Sequence, residues 1–197
     1  MRIRIGKTEI TVTFAFAAIL ALMLATDRTG LIIPTALAVF IHEAAHLLTM
    51  SVFGCAPLEI ILTPGSIQII KNGINSLKNE NKILIAGPLS NIIFFIIFYL
   101  VFYATESKQV LQFAAVELII GLFNLLPAKG LDGGALVYNF ALKIKNTYFA
   151  ELVLNVTTLT TVVCLIFLGV TLFLRGQGNI SIFLIALYIL IFSIIKN

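Results

Sequence analysis

The stretch FIHEAAHLLTM, Phe40–Met50, sets two histidines and a glutamate inside an apolar run extending from Leu31 to Phe53. About 20 predominantly apolar residues suffice for a helix to cross the hydrocarbon core of a bilayer. Ionisable groups are costly in such a span, and their default reading is functional. His42 and His46 are the chain's 2 histidines. Four-residue spacing on a helix stacks both imidazoles on one face, close enough to grip one ion. Zinc suits imidazole nitrogen and tolerates a tetrahedral site with an open position. Glu43 adjoins the first histidine and is placed to take a proton from a water at the metal rather than to bind the metal itself. The competing reading is a pair of hydrogen-bonded polar residues in a helix bundle. Ala44 and Ala45 are small and let a neighbouring helix approach closely.

The composition around this motif points to lipid as the solvent. The chain has 197 residues, of which 60% are hydrophobic and 11% charged. Its mean hydropathy is +1.08. One soluble core of this length cannot hide that much apolar surface. The basic pI, about 9.2, comes from residues scattered between hydrophobic spans. That pattern fits membrane orientation and argues against nucleic acid as a partner. Cys55 and Cys164 fit no metal spacing and read as free thiols. The start, MRIRIGKTEI, reads as the entry to an anchored span rather than as a cleaved leader.

The expected fold is an all-α polytopic membrane protein of about six transmembrane helices with a small membrane-associated β-hairpin or sheet. The first span is expected over 10–26, the second over 31–53 and the third over 83–103. The fourth runs from Val110 towards Ile144 and breaks near Pro127; the fifth covers 149–174 and the sixth 180–195. With the N-terminus inside, ten basic residues are cytoplasmic: Arg2, Arg4, Lys7, Lys71, Lys78, Lys82, Lys129, Lys143, Lys145 and Lys196. The opposite side holds three, Arg28, Lys108 and Arg175. This bias predicts a multi-pass cell-membrane protein with both termini cytoplasmic. Helix rise then places His42 roughly 17 Å into its span, at or just past mid-bilayer. The segment PLEIILTPGSIQIIKNG, residues 57–73, has two short β-branched runs about a Thr-Pro-Gly-Ser turn and reads as a hairpin. An open sheet edge cannot face lipid tails. The hairpin must therefore lie at the interface, be covered by protein, or accept a further strand.

Two imidazoles leave a catalytic zinc site one protein ligand short. Asp132 follows the break in the fourth span, within NLLPAKGLDGGALV. Pro127 and Gly130 interrupt a helix where irregular backbone is tolerated only if it is buried in protein or lines a wet cavity. Gly133 and Gly134 let another backbone come near. Asp132 is thus a candidate third ligand. It also suits the N-cap of the helix resuming at Gly133, and one aspartate can do both.

These residues resemble a known family. His42-Glu43-x-x-His46, Gly87-Pro88-Leu89 and Asn124-x-x-Pro127-x-x-x-Leu131-Asp132-Gly133 resemble, in order and spacing, the site-2 protease family of intramembrane metalloproteases, and most nearly its stage IV sporulation branch. The resemblance implies one zinc per chain, held by His42, His46 and Asp132, with Glu43 as general base and acid. It implies hydrolysis of a membrane-associated or transmembrane protein inside or at the edge of the membrane, releasing a product such as a sporulation sigma factor, and a membrane inhibitor protein as a further partner; the topology drawn above puts the cut near the cytoplasmic leaflet. Asn124 matches a position that holds substrate or polarises the scissile carbonyl, and Asn91 one used in part of the family. The hairpin would match the family's membrane-associated sheet, whose edge binds substrate as an added strand. The chain is expected to form a single transmembrane metalloprotease domain, 1–197, with no PDZ-like insert and no C-terminal regulatory domain. Its motif, HEAAH, lacks the glycine that many relatives carry before the second histidine.

The main alternative is a membrane metal or proton transporter using the same ligands. A non-catalytic binding partner retaining a zinc site is another. The type I prenyl-proteases also carry HExxH but typically use a later glutamate, here Glu117 or Glu151, as third ligand.

Overall fold

The computed structural model describes residues 2–5, 8–55, 57–63, 66–71, 77–176, 178 and 180–195. Four strands and seven helices are found among them, in the order β1 (Arg2–Ile5), β2 (Thr8–Val12), α1 (Phe14–Thr26), α2 (Ile32–Val52), β3 (Pro57–Thr63), β4 (Ser66–Lys71), α3 (Leu77–Thr105), α4 (Lys108–Asn124), α5 (Asp132–Ile144), α6 (Thr147–Leu174) and α7 (Ser181–Ile195). The chain divides into two compact units, Met1–Gly121 and Leu122–Asn197.

The first unit carries one mixed sheet of order β1-β2-β3-β4. The expected hairpin is β3 and β4, antiparallel, with Ile60 opposite Ile69 and Thr63 opposite Ser66. Pro64 and Gly65 of its expected turn lie outside the described residues, as do Lys7 and Lys196 of the expected cytoplasmic set. One edge of the hairpin is already covered: β2 runs parallel to β3, pairing Ile10 with Ile60 and Val12 with Leu62. β1 folds back antiparallel on β2. The structure therefore corrects the start of the first span, since 8–12 is strand and not helix. The run Thr8-Glu9-Ile10-Thr11-Val12 alternates and is rich in β-branched residues, which favour an extended chain. Side chains then fix the register: Thr11 Oγ1 donates to Glu59 Oε1 at 2.9 Å and Thr13 Oγ1 to the Leu62 carbonyl at 2.8 Å. Thr13 is also the N-cap of α1, accepting from the Phe16 N–H, so the switch from strand to helix is made at one residue.

By length and composition, α2, α3 and α6 are long and apolar enough to cross a membrane, and α1 and α7 are shorter apolar helices. No residue of α1 is buried. Large apolar side chains such as Phe14, Leu100, Phe167 and Leu174 are exposed, which suits a hydrocarbon surrounding and not water. α2 is different. Its buried residues are Pro34, Ala38, His42, His46 and Met50. They recur every four positions and form one stripe, the face turned to protein. α2 packs against α3.

In the second unit α5, α6 and α7 pack in sequence. Its core consists of Ala128, Leu131, Val162, Ala186 and Ile189, flanked by Phe123, Leu126 and Leu165. The expected break in the fourth span is the connection between α4 and α5. Its backbone is satisfied locally by Leu126 N–H to Phe123 O at 3.1 Å, Ala128 N–H to Leu126 O at 2.8 Å and Leu131 N–H to Ala128 O at 3.1 Å. Lys129 N–H donates to Thr158 Oγ1 of α6 at 2.9 Å. Irregular backbone beside apolar helices needs such partners, because lipid offers none.

Candidate metal centre

His42 and His46 are buried on the inner stripe of α2. Their Nε2 atoms lie 3.1 Å apart. Each ring is held from behind through Nδ1. His46 Nδ1 faces the Ile83 carbonyl of α3 at 2.7 Å; a carbonyl only accepts, so this nitrogen carries the proton. His42 Nδ1 faces Asn91 Oδ1 at 2.6 Å. The Asn91 amide is oriented by its other contacts, since Nδ2 donates to Ala38 O at 3.0 Å and to Glu117 Oε2 at 2.6 Å. Both are acceptors, so the oxygen must face His42, and Nδ1 is again the donor. Neutral histidines protonated at Nδ1 carry lone pairs at Nε2. Two lone pairs facing each other at 3.1 Å repel unless a cation or a proton lies between them. The second-layer contacts thus give both rings the tautomer that a metal requires.

Gly87 makes room for this centre. A Cβ built there would meet His46 Nε2, with His46 Cε1 at 2.6 Å and His42 Nε2 at 2.7 Å. Any side chain at this position would occupy the space towards which both donor nitrogens point. The GPL motif quoted from the sequence therefore has a physical content, though no role had been read for its glycine. Glu43 is half-buried on α2 next to His42. Asn91, expected only as a family position of uncertain use, is fully buried and links α2, α3 and α4.

Asn124 and Asp132 belong to the second unit. Asn124 is the last residue of α4. Asp132 opens α5, whose N-cap is Leu131 with no side-chain cap bond. Asp132 is therefore the first helical residue and not the cap that one reading anticipated. The glycines behind it are required: a Cβ at Gly133 would meet the Leu125 carbonyl and one at Gly134 the Ala128 carbonyl. The backbone that comes near is the chain's own break, folded onto the first turn of α5. Of the two glutamates considered as alternative ligands, Glu117 lies behind Asn91, one residue removed from the histidines, and Glu151 is exposed.

No profile of a known protein family matches the chain. Among curated proteins it is similar to the Stage IV sporulation protein FB of Bacillus subtilis (strain 168), with 31% identity over 124 residues, 61% of this chain and 43% of that protein. The match thus spans less than half the length of that relative. Among solved structures it is similar to the Site-2 Protease from Methanocaldococcus jannaschii, with a TM-score of 0.70 and 21% identity over 98% of this chain and 93% of that one. The fold is that of the archaeal site-2 protease.

Proposed function

We propose that this chain is a zinc-dependent intramembrane endopeptidase. The observation that carries this reading is the buried histidine pair, with both Nδ1 atoms engaged by acceptors and both Nε2 atoms convergent over Gly87. His42 and His46 would hold the zinc, with Asp132 as the third ligand. Two neutral imidazoles and a carboxylate leave a fourth position free, as in a catalytic site. Bound zinc supplies Lewis acidity, lowering the pKa of water and polarising a carbonyl.

The protein's own groups do the remaining work. Glu43 accepts the proton of the attacking water and returns it to the leaving amide nitrogen. Asn124 donates an amide N–H to the carbonyl oxygen on which negative charge develops. The substrate is a membrane-tethered protein. Its scissile segment is held as an added strand at an edge of the sheet, which would unwind a helix before hydrolysis. Within the described residues β4 is paired on one side only, and this supports the strand-addition route. The basic-residue bias supports a multi-pass cell-membrane protein with both termini cytoplasmic and cleavage near the cytoplasmic leaflet. Similarity to the sporulation protein makes a membrane-bound transcription factor the first substrate class to try.

The test is zinc per chain by elemental analysis of detergent-purified wild type and Asp132→Ala, together with cleavage of single-span reporter proteins in membranes by wild type and Glu43→Gln. About one zinc in the wild type, weakened in Asp132→Ala, with cleavage lost in Glu43→Gln, is the expected result. No zinc in folded wild type would overturn the reading. A metal or proton carrier would bind metal but cleave nothing with either residue at position 43.

A further inference from the structure

Behind the histidine pair lies a buried acid that the protease reading leaves without a task. Glu117, midway along α4, is 0% exposed. Its Oε2 accepts from Asn91 Nδ2 at 2.6 Å, and its Oε1 is buried with no hydrogen-bond partner among the described residues. An acid stripped of water in an apolar helix is costly, and removing it costs less than keeping it unless it has a use. α4 is brought close on purpose-built terms: a Cβ at Gly121, one turn on, would stand 3.1 Å from Asn91 Cβ and 3.2 Å from the Pro88 carbonyl.

The use follows from the two ways an asparagine amide can sit. As found, Asn91 turns Oδ1 to His42 and Nδ2 to Ala38 O and Glu117 Oε2. Rotated by half a turn, it would set its oxygen against two acceptors and its NH2 against His42 Nδ1. His42 would then have to accept at Nδ1 and carry its proton on Nε2, aiming an N–H where the metal needs a lone pair. Without Glu117, one of the two acceptors that oppose that rotation is gone and the Ala38 carbonyl remains. We propose that Glu117 is a positioning residue, whose acceptor oxygen locks the Asn91 amide and, through it, the Nδ1-protonated tautomer of His42. This rests on the reading of His42 as a zinc ligand.

Zinc affinity, measured by chelator competition, and the absorption spectrum of the cobalt-substituted protein test the relay. Glu117→Met removes the acceptor without leaving a large cavity; it should weaken zinc about tenfold or more and shift the cobalt spectrum, the usual scale for a lost outer-layer partner. Glu117→Gln retains an acceptor oxygen and should stay within about threefold of wild type. Asn91→Ala should lose as much as Glu117→Met, and adding Glu117→Met to it should cost less than about twofold more, because the relay is already cut. A merely structural Glu117 would lower thermal stability and leave zinc affinity and the cobalt spectrum unchanged. Wild-type affinity in Glu117→Met, full additivity with Asn91→Ala, or a loss in Glu117→Gln as large as in Glu117→Met would each overturn the inference. Imidazole 15N shifts of metal-free wild type give a check independent of any variant: a His42 proton on Nδ1 supports the relay and a proton on Nε2 overturns it. Wild type that binds no zinc would instead remove the ligand reading, and the relay with it.

Discussion

Gly87 and Glu43 show how much of the candidate chemistry rests on single residues. Gly87 is the only residue type that leaves the space over the two Nε2 atoms clear, since any Cβ there collides with both rings. Gly87→Ala should therefore displace a histidine and weaken zinc by about tenfold or more, on the scale of a lost outer-layer partner. The helix itself should survive, because alanine is the better helix former. Zinc titration and far-UV circular dichroism on the same sample separate the two effects. Glu43→Gln should do the opposite, keeping about one zinc while cutting cleavage by at least about 100-fold, the low end for a general acid–base group. Persisting cleavage of a genuine substrate would remove Glu43 from its role. The histidine spacing was legible in the sequence because helical geometry alone puts i and i+4 on one face. The tautomer of each ring was not. It depends on Ile83 and on the Asn91–Glu117 contact, at separations of 37 and 26 residues, and no local pattern announces them.

At the scale of elements, the break between α4 and α5 was visible from Pro127, Gly130 and the glycine pair after Asp132. Its support was not. Thr158 reads in the sequence as one more threonine in an apolar helix, yet it donates to Leu154 O at 2.6 Å and accepts from Lys129 N–H. Thr158→Val removes the hydroxyl that the Lys129 N–H meets, at a residue 3% exposed, and should destabilise by about 1–3 kcal/mol. Thermal unfolding in detergent measures the loss, and Thr158→Ser should recover most of it. The loop between α1 and α2 carries a pH-dependent clasp. Asp27 is held below its ordinary carboxylate range by the Ile32 N–H first, then by the hydroxyl and N–H of Thr29 and the N–H of Gly30. A depressed carboxylate adds stability above its unfolded value and loses it as pH falls through its folded value. Hydrogen exchange at Thr29, Gly30 and Ile32, corrected for intrinsic rates, should stay slow at neutral pH and quicken only in acid. Quickening at neutral pH would show that the clasp is not formed. The sheet was half legible. The β3–β4 hairpin has two β-branched runs and a turn signal, whereas β2 adjoins the apolar run of α1, and the expected first span takes in its residues 10–12. A short alternating strand next to a long hydrophobic stretch loses the comparison on hydropathy. Only pairing with β3, Ile10 with Ile60 and Val12 with Leu62, fixes β2 as a strand.

For the whole molecule, composition, spans and basic bias make one expectation, and the exposed apolar helices agree with its membrane class. Reconstituted in vesicles, the protein should expose the connections after α2 and α5 to protease on the side that holds both termini, and the α1–α2 loop on the other. The reverse pattern would invert the orientation drawn from the basic residues. Chelation should abolish cleavage and added zinc restore it, as measured on a single-span reporter. The sequence by itself determined the membrane class, the positions of the histidines and the helix break, because each follows from local periodicity, charge and backbone limits. The tertiary structure alone decided which acceptor each Nδ1 meets, why position 87 must be glycine, and how α4 delivers Glu117 behind Asn91. Those contacts depend on packing between segments distant in sequence, and a residue's chemistry is set by what the fold places against it.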